Sequence, residues 1–312
     1  IWISIMKNKN ITLNDFKELF QMSEITDLFK ETYENYNFHY DLLPDSELEE
    51  IIQEVTSDIE ADTQKIEVLE RKLVWNKGWS ESLEKFEQTK TLASLVPKYI
   101  RPSIFIRYKH TFIKPHDPQF ELNMVKMIQI FLFETYFKKY QNIYEFGCGS
   151  GLNVAMLCSM FPNKTVYAQD FVDPSIKLMQ SIKNEFHFNI KATLFDFANP
   201  DYNFILKKCS AVLTMGALEQ VPKNFKKFID YLLINKPEIC IHSEPILEVY
   251  DLNNRIDRLA YNFHIKRGYT TDLLIYLKTL EKEGKLKILN VIKSPFGSKF
   301  IEGYTFIIWR SL

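Results

Sequence analysis

The sequence predicts an α/β protein with a mainly parallel seven-stranded sheet, an antiparallel last strand and a helical N-terminal region. Short apolar runs alternate with amphipathic stretches after residue 141, a pattern typical of parallel strands joined by helices. The last two apolar runs are joined only by SPFGSKFIE, which is too short for a helical crossover and indicates an antiparallel final strand.

The N-terminal helices are predicted over residues 12–96, where apolar residues recur at three- and four-residue spacing with charged residues between them. Asp45 or Ser46, followed by Glu49, predicts a helix start with a capping box. We expect residues 1–118 to form a helical cap with its connector, and residues 119–312 to form the main domain.

The connector, residues 97–118, contains four prolines, which exclude a continuous helix and leave room for one strand. Two interpretations of it stay open. In the first, it folds back as a lid that carries four basic or aromatic side chains: Arg101, Arg107, Tyr108 and His110. In the second, it is a linker whose aromatic residues pack on the core.

The main domain begins with a strongly apolar helix over residues 120–140. The predicted strands that follow are 142–146, 165–170, 191–196, 210–215, 238–243, 286–293 and 303–310. The predicted helices between them are 151–160, 174–186, 223–234 and a longer stretch over 250–284.

Charge and composition limit the classes of partner. The chain has 39 basic and 40 acidic residues with no long block of one sign, so no overall field favours nucleic acid or an anionic membrane. No apolar run approaches the ~20 residues of a membrane span, and the opening IWISIMKNKN is too short and polar for a secretory signal.

Four cysteines without CxxC spacing favour a reducing cytoplasm and no metal site.

The segment YEFGCGSGLN places Gly147, Gly149 and Gly151 directly after the first predicted strand of the main domain. Glycines there let the backbone turn and approach a ligand at a helix N-terminus. A dinucleotide site requires a third glycine where Leu152 stands, and a phosphate loop requires Gly-Lys-Ser/Thr. The loop is therefore predicted to be a platform for a different ligand.

Glu145, two residues before the first glycine, and the compact GxGxG spacing resemble motif I of the class I S-adenosylmethionine-dependent methyltransferases. Later residues extend the resemblance over 140–312. Asp170 ends the second predicted strand, where an acid binds ribose hydroxyls in this family and in NAD proteins alike. Asp196 stands where the family places an aspartate against the adenine amine, with Phe195 or Phe197 beside the ring.

This resemblance implies a Rossmann-like fold and S-adenosyl-L-methionine as cofactor. The implied cofactor-binding residues are Glu145, Gly147, Gly149, Gly151, Asp170, Phe171, Asp196, Phe197 and Met215. The stretch TMGALEQVP looks like the family's methyl-transfer segment, with Glu219 in it. That stretch lacks the motifs of base-directed enzymes, and no aspartate ends its strand to hold magnesium.

A hydroxyl acceptor needs a general base, and the candidates are His242, then Glu244, then His264, with Glu219 also considered. A histidine at such positions is otherwise a packed or solvated residue. The insert 247–284 carries a basic, aromatic stretch that either grips an anionic acceptor or is a solvated helix face.

HSEP, the insert and the closing FGSKFIEGYTFIIW are similar to bacterial sugar O-methyltransferases of natural-product and glycan pathways. The sequence thus predicts O-methylation of a small hydroxylated acceptor, such as a nucleotide-linked or glycan sugar. The alternatives are a protein or nitrogen acceptor, a non-catalytic or partner-dependent cofactor-binding protein, and a nicotinamide-dependent oxidoreductase. A homo-oligomer through the N-terminal helices is the protein partner considered.

Overall fold

The computed structural model describes residues 8–64, 68–222 and 224–312; most of the opening segment considered as a signal lies outside these ranges. The N-terminal elements are β1 (Asn8–Asn10), α1 (Leu13–Leu19), α2 (Asp27–Glu34), β2 (His39–Leu42), α3 (Asp45–Ala61), α4 (Val68–Thr89), β3 (Ile106–Tyr108) and β4 (Thr111–Pro115). The first elements of the main domain are α5 (Phe120–Leu132), β5 (Asn142–Phe146), α6 (Leu152–Met160), β6 (Thr165–Asp170), α7 (Asp173–Phe186) and β7 (Ile190–Leu194). The last are β8 (Ser210–Met215), α8 (Phe225–Asn235), β9 (Ile239–Glu244), α9 (Arg255–Arg267), α10 (Leu273–Lys282), β10 (Leu286–Lys293), β11 (Phe296–Gly297) and β12 (Thr305–Ser311).

The main sheet has seven strands in the order β10-β12-β9-β8-β5-β6-β7. The pairs β5–β6, β5–β8, β6–β7 and β8–β9 are parallel. β12 is antiparallel to both β9 and β10. The predicted fold class, including the antiparallel last strand, is confirmed.

A second sheet joins the two ends of the chain, in the order β1-β2-β4-β3-β11 with antiparallel pairs. The sequence predicted helices and at most one strand for its N-terminal part. These strands have two to five residues each, and apart from β3 with β4 they pair with strands that lie far away in sequence. Such short runs give little periodicity, so local pattern does not predict them.

The connector forms a hairpin of this second sheet. β3 and β4 pair around Lys109 and His110, whose φ angles are positive at 47° and 63°. Arg107 and Tyr108 are 0% and 2% exposed, which excludes a lid that presents these two side chains.

Two further expectations on helices are corrected. α3 begins after Pro44, whose extended backbone precedes the helix without a side-chain cap, and the Glu49 carboxylate instead accepts hydrogen bonds from Arg255. The capping box lies in α1, between Thr12 and Asp15. The longer helical stretch predicted over 250–284 contains two helices, α9 and α10, because Gly268 ends α9 in a left-handed conformation.

The main sheet is covered on both faces. One core cluster packs α5, α6, α7 and the N-terminal helices against it, and a second packs α8 and α10 on the other face. A third cluster joins α3 to α9 through Ile52, Val55, Leu259 and Phe263. No helix within the described ranges combines the length and apolarity that a membrane crossing requires.

Candidate functional site

The glycine loop lies at the point where the order of the main sheet changes direction. β5 pairs with β6 on one side and with β8 on the other. The crossovers from β5 therefore leave toward opposite sides, which opens a crevice at the carboxyl ends of the strands. Residues 147–151 occupy this position, between the end of β5 and the start of α6.

The three loop glycines are required by the backbone and by their neighbours. Gly147, Gly149 and Gly151 have φ angles of 79°, 50° and 79°, which L side chains rarely adopt. A Cβ atom on Gly147 would lie 2.4 Å from the Ala217 Cβ, and one on Gly151 would lie 2.3 Å from the Met179 Cε. The neighbouring side chains of the protein itself thus leave no room for a Cβ atom at Gly147 and Gly151.

Gly149 faces a side chain from the N-terminal region. A Cβ atom on Gly149 would lie 2.6 Å from the Trp79 Cζ2. Trp79 belongs to α4 and is 9% exposed. No sequence pattern indicates Trp79 as a neighbour of the loop, because only tertiary packing brings α4 there.

Glu145 offers a buried carboxylate oxygen with no partner. Its Oε1 accepts a hydrogen bond of 2.7 Å from the Asn153 Nδ2, whereas Oε2 has no hydrogen-bond partner among the described residues. Burial, and then the nearby Asp170 carboxylate, raise the pKa of Glu145 to about 8. A cationic or hydrogen-bond-donating ligand group would satisfy this oxygen.

Asp170 connects the end of β6 to the glycine loop. The Gly149 N–H donates to Oδ2 at 2.9 Å, and the Val172 N–H donates to Oδ1 at 3.3 Å. Burial raises the pKa of Asp170 to about 6, although these backbone donors lower it. Phe171, the next residue, is half-buried.

The other residues of the implied cofactor site also lie at this edge of the sheet. Asp196 follows β7 and is exposed, and its Oδ1 accepts from the Ala198 N–H at 2.8 Å. The Phe197 ring is buried and approaches within 3.4 Å of the Cβ position of Gly147. Met215 is the half-buried last residue of β8. Asp196, Phe197 and Met215 therefore lie at the same end of the sheet as the loop.

Glu244 holds the turn after β8. Its carboxylate accepts hydrogen bonds of 3.0, 3.1 and 3.2 Å from the backbone N–H groups of Ala217, Leu218 and Glu219. Burial, and next the Glu219 carboxyl, raise the pKa of Glu244. Since Glu244 is 1% exposed, its role in this geometry is to position the turn.

Glu219 is a half-buried residue of this turn. Burial raises the pKa of its carboxyl, and the Gln220 Nε2 donates a hydrogen bond of 2.9 Å to Oε1. Burial, and after it charges that include Glu121 and Glu219, raise the pKa of Tyr304. Burial also raises the pKa of Glu121, to about 7.

The two histidines considered as general bases, His242 and His264, lie in the core. This corrects the expectation that they face the acceptor side of the site. His242 is 0% exposed, its Nδ1 is 2.9 Å from the Thr214 Oγ1, and burial lowers its pKa to about 3. His264 is also 0% exposed, its Nε2 is 2.9 Å from the Thr270 carbonyl oxygen, and burial lowers its pKa to about 4. β9 continues to Glu244, so His242 lies inside the strand. Neither imidazole reaches a bound molecule in this arrangement.

The basic stretch of the insert binds the protein itself. Arg255 forms an ion pair with Glu49, and Arg267 forms one with Asp62. The Lys266 ammonium donates to the Glu60 carbonyl oxygen. These contacts join α9 to α3 and to the residue that follows it. Within the described ranges, no group of three or more His, Cys, Asp or Glu side chains is arranged to hold a metal ion.

No protein-family model matches the chain, and no curated protein is significantly similar to it in sequence. Solved structures are similar to it at low identity. One is the N,N-8-amino-8-demethyl-D-riboflavin dimethyltransferase RosA from Streptomyces davawensis, at 14% identity and a TM-score of 0.43, over 62% of this chain and 57% of that one.

A second is NcsB1, an O-methyltransferase from neocarzinostatin biosynthesis in complex with S-adenosylmethionine and 2-hydroxy-5-methyl naphthoic acid. Its identity is 9% and its TM-score 0.42, over 63% of this chain and 59% of that one. A third is a SAM-dependent methyltransferase from Aquifex aeolicus, at 14% identity and a TM-score of 0.41, over 58% of this chain and 86% of that one. The chain thus spans less than two thirds of the length of RosA and of NcsB1. The strand order of the main sheet, observed directly, makes the fold Rossmann-like.

Proposed function

We propose that this chain is an S-adenosyl-L-methionine-dependent methyltransferase that acts on a small molecule. The observation that supports it most is the Glu145 carboxylate, buried at the end of β5 with Oε2 unpartnered among the described residues. It lies beside a GxGxG loop at the switch point of the sheet. A cofactor with an ammonium group and a sulfonium, and without a pyrophosphate, fits acidic side chains better than a dinucleotide does.

The donor set fits this cofactor. Glu145 and the backbone of residues 147–149 would hold its amino acid end. Asp170 would accept hydrogen bonds from its ribose hydroxyls, and Asp196 with Phe197 would contact its adenine. When bound, the cofactor supplies an electrophilic methyl group on sulfur, and the protein places the acceptor atom.

For the acceptor, we propose a small hydroxylated molecule, with a sugar as the narrower candidate. In place of the buried histidines, we propose Glu219 as the general base, since it is a half-buried residue of the turn that follows β8 at the carboxyl edge of the sheet. A base with a pKa raised toward neutrality takes a hydroxyl proton more effectively. Glu244 is then a positioning residue, because it binds the backbone of the turn that carries Glu219.

The remaining features of the proposal are the location and the partners. All four cysteines lie within the described ranges as free thiols, three of them buried, which supports a reducing cytoplasm. A homo-oligomer through the N-terminal helices stays a prediction of the sequence.

Calorimetry with S-adenosylhomocysteine tests the cofactor. We expect binding by the natural protein and at least about a tenfold loss in Asp170→Ala, equal to about 1.4 kcal/mol. Asp173→Ala is the matched control, because Asp173 is exposed in the first turn of α7 and pairs only with Lys177 among the described residues. No binding of S-adenosylhomocysteine, or tighter binding of NADH, would overturn the proposal.

Mass spectrometry on a library of small hydroxylated molecules tests the acceptor. The expected result is a gain of one methyl group on oxygen, in the presence of S-adenosyl-L-methionine. Methylation confined to amines or to proteins would overturn the hydroxyl acceptor while leaving the cofactor assignment intact.

A further inference from the structure

Helix α4 crosses the edge of the sheet at which the glycine loop lies. Near its start, the Arg71 Nη2 donates a hydrogen bond of 2.8 Å to the Gln220 Oε1, in the turn after β8. Near its end, the buried Phe86 ring packs at 6.2 Å from the Phe186 ring of α7, and the Ser181 hydroxyl donates to the Glu87 carboxylate. α4 therefore spans the crevice and is held on both of its sides.

Between these two ends, Trp79 lies directly on the loop. The position of a Cβ atom on Gly149 is 2.6 Å from Cζ2 and 3.1 Å from Cη2 of the indole. The Trp75 ring stacks on Trp79 at 5.2 Å with 22° between the planes. The indole therefore leaves no space on the backbone of Gly149 for another molecule, which would need a gap about 3.5 Å thick.

The Asp170 carboxylate is buried beside Gly149. It is bound to the Gly149 N–H, and Asp170 is 3% exposed. A carboxylate that binds the hydroxyls of a ligand needs at least one accessible oxygen. The Gly149 backbone and the Asp170 carboxylate are thus closed to a ligand in this arrangement.

We propose that α4 is a strap that closes the cofactor site, with the Trp79 indole in the space that the cofactor takes, and that the cofactor enters only when α4 lifts from Gly149. This inference rests on the proposed function. The lifting element is α4 and not the loop, because the loop is anchored to β6 by hydrogen bonds from Gly147 N and Cys148 N to the Gln169 carbonyl. α4, in contrast, carries Leu73 and Val74 at 73% and 63% exposure on its outer face.

A closed majority state has a measurable consequence. The apparent dissociation constant equals the intrinsic one divided by the fraction of molecules that are open. If α4 is closed in about nine-tenths of the molecules, binding is about tenfold weaker than in an open protein. Fixing α4 in the closed position should therefore slow or abolish cofactor binding, and releasing it should restore binding.

The test crosslinks α4 to α7 at the Glu87–Ser181 contact. Glu87→Cys and Ser181→Cys are combined in a Cys209→Ser background, since Cys209 is the exposed native thiol. A short bifunctional thiol reagent with a reducible linker joins the two positions. The measurement is the association rate of S-adenosylhomocysteine before crosslinking, after it, and after reduction.

We expect at least about tenfold slower association in the crosslinked protein and full recovery on reduction. The matched control is the same reagent on Glu49→Cys with Arg255→Cys, a contact between α3 and α9 outside the crevice, for which no change is expected. Equal association rates before and after the α4–α7 crosslink would overturn the strap while leaving the proposed function intact. Failure of the uncrosslinked protein to bind S-adenosylhomocysteine would overturn the proposed function and this inference together.

Discussion

The carboxylate of Glu244 accepts a hydrogen bond of 3.2 Å from the backbone N–H of Glu219. One buried acid thereby fixes the backbone position of a second acid, which is half-buried. The two carboxyls have different roles although both have raised pKa values. The difference lies in access, since only Glu219 has an exposed part.

Glu219→Gln should lower kcat with any acceptor that the mass-spectrometric screen identifies. The expected loss is about 10²- to 10⁴-fold, because a general base typically contributes that much. Binding of S-adenosylhomocysteine should stay within a factor of about three of the natural protein. A kcat that is unchanged, with an unchanged pH profile, would exclude Glu219 as the base.

Glu244→Gln should instead lower stability. A glutamine places an N–H group against the backbone donors of the turn, leaving buried donors unsatisfied at a cost of about 1–3 kcal/mol. Thermal unfolding followed by circular dichroism checks this, and Glu185→Gln, at an exposed position near the end of α7, is a comparison of the same chemical change. A melting temperature equal to that of the natural protein would contradict the role of Glu244 in positioning the turn.

The stability of the protein should fall as the pH rises from about 6.5 to about 8. The folded-state pKa of Glu145 is raised to about 8 from 4.5, so between these values the native state binds more protons than the unfolded state. The stability that this carboxyl contributes is present below pH 4.5 and is lost as the pH rises through 8. Below 6.5, the buried His242, with its pKa lowered to about 3, opposes the trend, because only the unfolded state then gains its proton.

Glu145→Gln isolates that contribution, since it keeps the shape and removes the titration. Urea unfolding at pH 6.5 and pH 8 should show a smaller loss of stability in the variant than in the natural protein. An identical slope in both proteins would show that Glu145 does not titrate in this window.

Gly149→Ala should destabilise the protein more than Gly284→Ala. Both glycines have positive φ angles, 50° and 71°, but a Cβ atom meets Trp79 at the first and nothing within 4 Å at the second. The backbone cost of about 1–2 kcal/mol is common to both, and the contact with the indole adds to it only at Gly149. In a double-mutant cycle, Trp79→Ala should relieve the added part. Equal losses of unfolding free energy at the two glycines would contradict the packing described here.

S-adenosylhomocysteine should change the tryptophan fluorescence of the protein, and Trp79→Phe should remove most of that change. The reason is that Trp79 leaves an environment in which it is 9% exposed, whereas the Trp309 ring in β12 is 0% exposed and packs in the core cluster that contains α8 and α10. A signal that persists undiminished in Trp79→Phe would mean that the indole stays in place when the ligand binds.

Much of the main sheet could be predicted, because each of its strands carries a local signal. β5, β6, β8 and β10 have the bounds that their apolar runs predicted. Spacing and chemistry also indicated the glycine loop and its acids, since a switch-point loop requires small residues and its ligand requires acceptors. These features depend on residues that are neighbours in sequence.

The base candidates show where local pattern fails. His242 and Glu244 are two residues apart in HSEP, and both point to the same face of β9. Which of them approaches the site depends on the strand's end and on the turn that packs over it. Neither is visible in the sequence, because both depend on partners at positions 214–219.

The sequence by itself determined the class of fold, the position of the loop and the kind of ligand that it suits, since these follow from hydrophobic periodicity and from the side chains beside the strands. The tertiary structure alone decided that His242 is buried, that Glu244 holds the turn of Glu219 and that α4 lies on the loop. The physical reason is that burial and access arise from packing between segments far apart in the chain. A Cβ atom added to Gly149 would lie 2.6 Å from the Trp79 Cζ2, and no local pattern in the sequence relates these two residues.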